Sequence, residues 1–311
     1  MTVKLEVNVA GIRMVNPVML ASGIIGYGAE YTKIEGFSND DFGAIVLKGT
    51  TLKKRLGNPP QRLASSYLGI LNSIGLQNPG IDYVLEKLVP KLRQYKTNIL
   101  LNISGSEEAE YRKIAEKVGK GEGIHGLEVN ISCPNVKSGG MQFGSDPDSS
   151  FRVIEGVKKA TDLPVIAKLS PNVTDIKLIA KACIDAGADA LSLINTVKAM
   201  AIDIETKRPK LGANFGGLSG PAIKPVAIYN VFQAYQVAKR FQIPLIGVGG
   251  IQDEEDIIEF ILAGASAVQI GTSLLVYDMK PNTLIKNLEK KLEQMRIGDI
   301  NELVGKVNLH P

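Results

Sequence analysis

The chain has 311 residues, of which 44% are hydrophobic and 22% charged, and it carries a net charge of +4. That is the composition of a globular protein able to bury a large core, and it excludes a disordered chain. The lysines and arginines are interspersed with acidic residues rather than gathered into a basic stripe, which argues against a nucleic-acid partner and leaves a small anionic ligand compatible.

No run of about 18 apolar residues could span a bilayer, and the opening MTVKLEVNVAG lacks the apolar core of a signal peptide. The expectation is a cytoplasmic protein with no membrane partner. Two cysteines, Cys133 and Cys183, with no histidine at metal-ligand spacing, indicate neither a disulfide framework nor a metal site. An iron–sulfur cluster needs about four cysteine ligands, so this chain cannot supply one alone.

Eight short β-rich runs follow one another, each bounded by Gly, Pro, Asn or Asp and most followed by helical periodicity. They are PVML (17–20), AIVL (44–47), NILLN (98–102), GLEVN (126–130), PVIAK (164–168), DALSLIN (189–195), PLIGV (244–248) and SAVQI (266–270). Between them, Glu107–Val118, Ile176–Ala186 and Glu254–Leu262 place apolar residues three and four apart, as a helix with one buried face requires. Near-continuous apolar strands alternating with amphipathic helices predict a parallel sheet covered on its outer side. Repeated eight times, the pattern predicts an α/β fold closed as a (β/α)8 TIM barrel, read as one domain over residues 1–311. The second-to-third and sixth-to-seventh strand intervals are long and hold the insertions Thr50–Gly80 and Lys198–Gly220, expected as loops over the C-terminal face of the strands. Pro281–Gly298 has the spacing of an outer helix that closes the barrel.

Such barrels build their sites where strands end, and here the strand ends are polar. They run Ala21–Ser22–Gly23, Lys48, Asn102, Asn130, Lys168, Asn195, Gly249–Gly250 and Gly271–Thr272. Strand-end turn formers would explain the glycines singly, but not two lysines and three asparagines at matching positions. The glycine pairs follow strands seven and eight, where a phosphate is commonly held on backbone amides. Gly23, Gly26 and Gly28 do not have the order of a dinucleotide motif. Cys133, three residues past Asn130, stands on the rim as a candidate nucleophile or base, with Pro134 forcing a turn and Gly139 and Gly140 making its loop mobile. Cys183 reads as a small core hydrophobe on its helix, and His125 belongs at the entry end of strand four, away from the rim.

Several stretches resemble class 1 dihydroorotate dehydrogenases over nearly the whole chain. They are ILNSIGLQNPG (70–80), LEVNISCPNVKSGG (127–140), VIAKLSPNV (165–173), INT (194–196), GGLSGPAIKPVAI (216–228), IGVGGI and GASAVQIGT. Cysteine in the SCPN position is similar to class 1, and SGGMQFGSDP is most like subclass 1B. The resemblance implies one FMN per chain. Ser22, Lys48, Gly49, Asn102, Asn130, Lys168 and Ile194 would meet its ring and ribityl chain, and Gly220, Gly249, Gly250, Gly271 and Thr272 its phosphate end. It implies dihydroorotate or orotate on Lys48, Asn72, Ser73, Ile74, Gly75, Leu76, Asn130, Asn195 and Thr196, with Asn135 as a further candidate. Cys133 would be the catalytic base on a loop that closes over the substrate.

The implied reaction is oxidation of L-dihydroorotate to orotate in pyrimidine synthesis. Electrons would leave through a partner subunit carrying FAD and a 2Fe-2S cluster to NAD+, in a heterotetramer of two catalytic and two electron-transfer subunits. Three other readings stay open: a fumarate-dependent enzyme of class 1A, a dihydropyrimidine dehydrogenase-like enzyme, and a barrel that binds phosphate without redox chemistry. The sequence departs from the subclass 1B pattern at SGIIGYG, where the pattern has a cysteine and phenylalanines after the first glycine, at Lys48–Gly49 in place of lysine followed by alanine, and at NISGS in place of NVAGS. None of these removes a functional group.

Overall fold

The computed structural model of the chain describes residues 3–119, 123–132, 134–135, 141–276 and 281–310. Eight parallel strands close into a barrel: β1 (Val18–Leu20), β2 (Ala44–Thr50), β3 (Asn98–Ile103), β4 (Gly126–Asn130), β5 (Val165–Lys168), β6 (Ala190–Leu193), β7 (Leu245–Val248) and β8 (Ala267–Ile270). Each pairs with its sequence neighbour, and β8 closes on β1 with Val268 opposite Val18 and Ile270 opposite Leu20. All eight expected strands are present in the expected order. Strands in such a barrel are buried on both faces, which is why they read as unbroken apolar runs. Ala44 to Leu47 in β2 and Val165 to Lys168 in β5 are all buried.

The helices α1 (Glu108–Val118), α2 (Pro147–Lys158), α3 (Ile176–Asp185), α4 (Lys224–Ala238), α5 (Glu254–Ala263) and α6 (Pro281–Gln294) form the outer layer. On α1 the stripe Tyr111, Ile114, Ala115 and Val118 faces the core, and on α3 it is Ile176, Ile179, Ala180, Cys183 and Ile184. Each large aliphatic side chain removed from water in this way contributes about 1.5–3 kcal/mol. Aspartates start the helices: Asp146 accepts from the Ser149 amide, Asp175 from that of Lys177, and Asp253 from those of Glu255 and Asp256. Among the described residues no helix is long and apolar enough to cross a membrane.

A hairpin of Val7–Val9 and Ile12–Met14 lies at the entry end of the strands. A Cβ on Gly126, the first residue of β4, would stand 3.1 Å from Ile12. At the opposite end the two long insertions do more than loop. Leu63–Ser66 and Gly69–Asn72 from the first join Val197–Ala199 and Gly216–Ser219 from the second in one four-stranded antiparallel sheet. Gly217 pairs with Asn72 and Leu218 with Leu71, so residues nearly 150 positions apart become neighbours over the barrel mouth.

Candidate active site

The strand ends and the insertion sheet enclose a cavity of about 410 Å³, within the range of roughly 300–1,000 Å³ typical of small-molecule sites. Ser22, Lys48, Gly49, Asn102, Asn130, Lys168, Ile194, Gly220, Gly249, Gly250, Gly271 and Thr272 all line it. So do Asn72, Ile74, Leu76, Asn195 and Thr196. Ser73 and Gly75 do not: the Ser73 hydroxyl accepts from Asn58 Nδ2 at 2.8 Å, and a Cβ on Gly75 would meet Asn58 Oδ1 at 2.4 Å. Asn72, Ile74 and Leu76 line the cavity, while Ser73 and Gly75 lie against Asn58, in a segment past the end of its strand where the backbone turns left-handed at Gly75 (φ +72°) and Leu76 (φ +56°). Cys133 and the side chain of Asn135 lie outside the described residues, as does most of the loop expected to cover the substrate. The ends of that loop, Pro134–Asn135 and Met141–Gln142, pair antiparallel.

The asparagines are held by one another. Asn195 Nδ2 donates to Asn130 Oδ1 and to Ser132 Oγ, both at 3.1 Å, while Asn195 Oδ1 accepts from the Thr196 amide at 2.8 Å. Asn130 Oδ1 also accepts from the Ser132 amide, and Asn72 Nδ2 donates to the Gly217 carbonyl at 3.1 Å. These bonds fix the amide orientations. They leave Asn130 Nδ2 as a donor and Asn72 Oδ1 as an acceptor with no partner among the described residues. A planar ring bearing N–H and C=O groups is complementary to that pair.

The glycine side of the cavity is shaped for close approach of a ligand to the main chain. Gly250 has φ +80°, and a Cβ there would stand 2.9 Å from the Lys224 amide nitrogen and 3.0 Å from the Gly220 carbonyl. Gly249, at φ +131°, would meet Ala227 at 3.0 Å. The amides of Gly250, Ile251 and Thr272 donate to no acceptor among the described residues, as a cradle for phosphate oxygens requires. Thr272 Oγ1 donates to Ser219 Oγ at 2.8 Å, which ties the end of β8 to the insertion sheet. The residues present thus fit a ligand with a phosphate at one end and a polar ring at the other.

Beneath the cavity lies a polar cluster drawn from five strands, centred on Glu128, which sequence reasoning missed. Glu128 has no exposed surface. Its Oε1 accepts from Asn102 Nδ2 at 2.7 Å and from Lys168 Nζ at 3.2 Å, and its Oε2 from Gln269 Nε2 at 2.6 Å and Ser192 Oγ at 3.0 Å. Lys168 Nζ donates also to Gln269 Oε1 at 3.3 Å. Burial alone would push the Glu128 carboxyl up. The charge of Lys168 and the hydrogen bonds from Gln269, Asn102 and Lys168 outweigh it and hold the carboxyl below the usual range. The signal was present: Glu128 interrupts an apolar strand two residues before Asn130, and a period of two puts both on the inner face.

Lys48 is the other cation on the cavity wall, and its ammonium has no partner among the described residues. Cys183 is fully buried on α3, and burial pushes its thiol up to about 12, which leaves it chemically inert. His125 accepts from the Ile99 amide at 2.9 Å near the start of β3, at the entry end as expected.

Comparison with known proteins places the geometry in context. The family described as dihydroorotate dehydrogenase matches residues 4–295. The "Dihydroorotate dehydrogenase B (NAD(+)), catalytic subunit" of Desulforamulus reducens is 52% identical over 309 residues, covering 99% of this chain and all of that one. The protein of the same name from Desulforudis audaxviator is 49% identical, covering 98% of each. Among solved structures, DHODH from Eimeria tenella in complex with ferulenol superposes with a TM-score of 0.80 at 24% identity, covering 97% of this chain and 88% of that one, and speaks to the fold.

Proposed function

The chain belongs to the dihydroorotate dehydrogenase family, and on that premise we propose that it is the FMN-carrying catalytic subunit that oxidises L-dihydroorotate to orotate in cytoplasmic pyrimidine synthesis. One observation carries the reading: a single cavity joins a glycine cradle suited to a phosphate with an asparagine set suited to a ring of amide groups, and Lys168 lies at its floor.

FMN, when bound, supplies the acceptor for a hydride. The chain's own residues do the rest. Gly220, Gly249, Gly250, Gly271 and Thr272 hold the phosphate end, and Ser22, Gly49, Asn102 and Ile194 line the place of the ring and ribityl chain. Lys168 would place a cation beside the flavin ring, where it would favour the acceptance of negative charge. Asn72, Asn130, Asn195 and Thr196 orient the substrate ring through amide hydrogen bonds, Ile74 and Leu76 wall it with the backbone from Ser73 to Leu76, and Lys48 pairs with its carboxylate. Cys133 takes the C5 proton as hydride leaves C6, and the C5–C6 double bond of orotate forms.

The relatives named catalytic subunits for NAD+ support a partner for electron transfer. That partner carries FAD and a 2Fe-2S cluster in a heterotetramer of two subunits of each kind, consistent with only two cysteines in this chain. The test is an anaerobic titration of the purified chain with L-dihydroorotate while flavin absorbance is followed. Bleaching that yields orotate is expected. A protein that neither carries nor takes up FMN, or a bound flavin indifferent to dihydroorotate, overturns the reading.

A further inference from the structure

Among the described residues the cavity wall carries two cations, Lys48 and Lys168, and no acid. Of the two, Lys168 is almost wholly buried, with a side chain 7% exposed. Its one ion-pair partner among the described residues is Glu128, entirely out of contact with solvent on the neighbouring strand. The other groups around the pair, Asn102 on β3, Ser192 on β6 and Gln269 on β8, are neutral. All four donors converge on the two carboxylate oxygens, so Glu128 is saturated and cannot itself reach a ligand. Asn102, which also lines the cavity, spends its amide nitrogen on Glu128, and its carbonyl oxygen is then turned toward Gly49, 3.0 Å from where a Cβ would stand.

We infer that Glu128 is a positioning residue that sets the charge of the cavity floor: it aims Lys168 and Asn102 and balances the lysine, so that the floor meets its ligand with zero net charge. The inference rests on the FMN reading of the cavity. A buried carboxylate is costly unless compensated, and a barrel whose interior layers are usually filled by branched aliphatic side chains has instead a carboxylate here, linked to the two cavity residues whose orientation matters. Charge at this depth is weakly screened by solvent. It therefore acts on any flavin whose reduced form is anionic, and it decides how easily that flavin takes electrons.

Gln269 makes the test possible, because its Oε1 already lies 3.3 Å from Lys168 Nζ on another strand. Glu128→Gln gives a floor of +1, the exchange Glu128→Gln/Gln269→Glu restores zero, and Gln269→Glu alone also stays at zero, because its carboxylate would touch that of Glu128 and the two would share one proton. The flavin midpoint potential, measured on each holoprotein at one pH, is expected to rise above wild type in the first and to stay near wild type in the exchange and in Gln269→Glu. A role confined to packing or hydrogen bonding would weaken flavin retention in every variant without ordering the potentials by charge, and that result would overturn the inference. If Glu128→Gln does not fold, Glu128→Met, which also leaves a floor of +1, and the exchange still decide the matter: a Met variant with a potential at or below wild type, or an exchange variant displaced from wild type as far as the Met variant, defeats it. A wild-type chain that never takes up FMN defeats the underlying reading as well, whereas a bleachable wild type with unordered potentials defeats this inference alone.

Discussion

At the scale of single residues the site is governed by what small side chains leave open and what polar ones are already committed to. A Cβ at Gly250 would collide with the backbone at Lys224 and Gly220, so the amides behind it can be approached only because the residue is glycine. Two departures from the subclass 1B pattern, Gly49 and Ser104, prove to be neighbours: the Cβ absent at 49 would lie 3.9 Å from Ser104 Oγ, a buried hydroxyl with no partner among the described residues. Neither position reveals the other in the sequence. The two cysteines divide cleanly. Cys183 is held inert by burial, and the base we propose is Cys133. For Cys133→Ser we expect the flavin to stay bound while its reduction by dihydroorotate slows by about 100-fold or more near neutral pH, because a general base contributes roughly that much and an unactivated serine hydroxyl is far less acidic. Stopped-flow reduction checks this, and an unchanged rate would remove the base assignment.

Among the elements, the strands and helices of the barrel follow local rules and the insertion sheet does not. Helix α1 starts at Glu108, one residue past the Glu107 expected from its periodicity, and α3 and α5 begin where expected, because their apolar stripes and aspartate caps are local facts. Leu63–Ser66 and Val197–Ala199 have no comparable signature, since each is held by a partner strand distant in sequence or by a hairpin exposed to solvent. That sheet is part of the site. Thr196 and Asn72 both line the cavity, and a Cβ on Gly217 would come within 2.0 Å of Thr196 Oγ1 and 2.5 Å of Thr196 Cβ. Thr196 cannot clear such a contact by rotation alone, so the strands must shift. Overpacking of this kind costs about 1–3 kcal/mol, and roughly 1.4 kcal/mol is a factor of ten in binding. Gly217→Ala should raise KM for dihydroorotate about tenfold while the flavin-to-protein ratio stays at wild type. Loss of flavin with KM unchanged would show instead that the sheet serves the cofactor.

The whole molecule adds a dependence on pH that no element has alone. The native Glu128 carboxyl is held below its ordinary value of 4.5, so between that value and its native one the unfolded chain binds the proton first. The stability it contributes is therefore present above pH 4.5 and is lost as pH falls through the native value. Denaturant midpoints of wild type and Glu128→Gln should differ most near neutrality and converge on acidification, and a gap that stays constant down to roughly pH 3 would contradict this. What the sequence determined by itself is the barrel: strands buried on both faces must be apolar throughout, and helices covering them must carry one apolar stripe, so eight repeats could be counted without coordinates. It also placed the polar strand ends on one rim, because parallel strands all end on the same side. Only the tertiary structure decided that two insertions pair across almost 150 residues, that Ser73 and Gly75 turn away from the cavity, and that Glu128 gathers Asn102, Lys168, Ser192 and Gln269. Those outcomes depend on the tilt and closure that bring non-adjacent strands face to face, and spacing along a chain does not encode which side chains meet across a closed barrel.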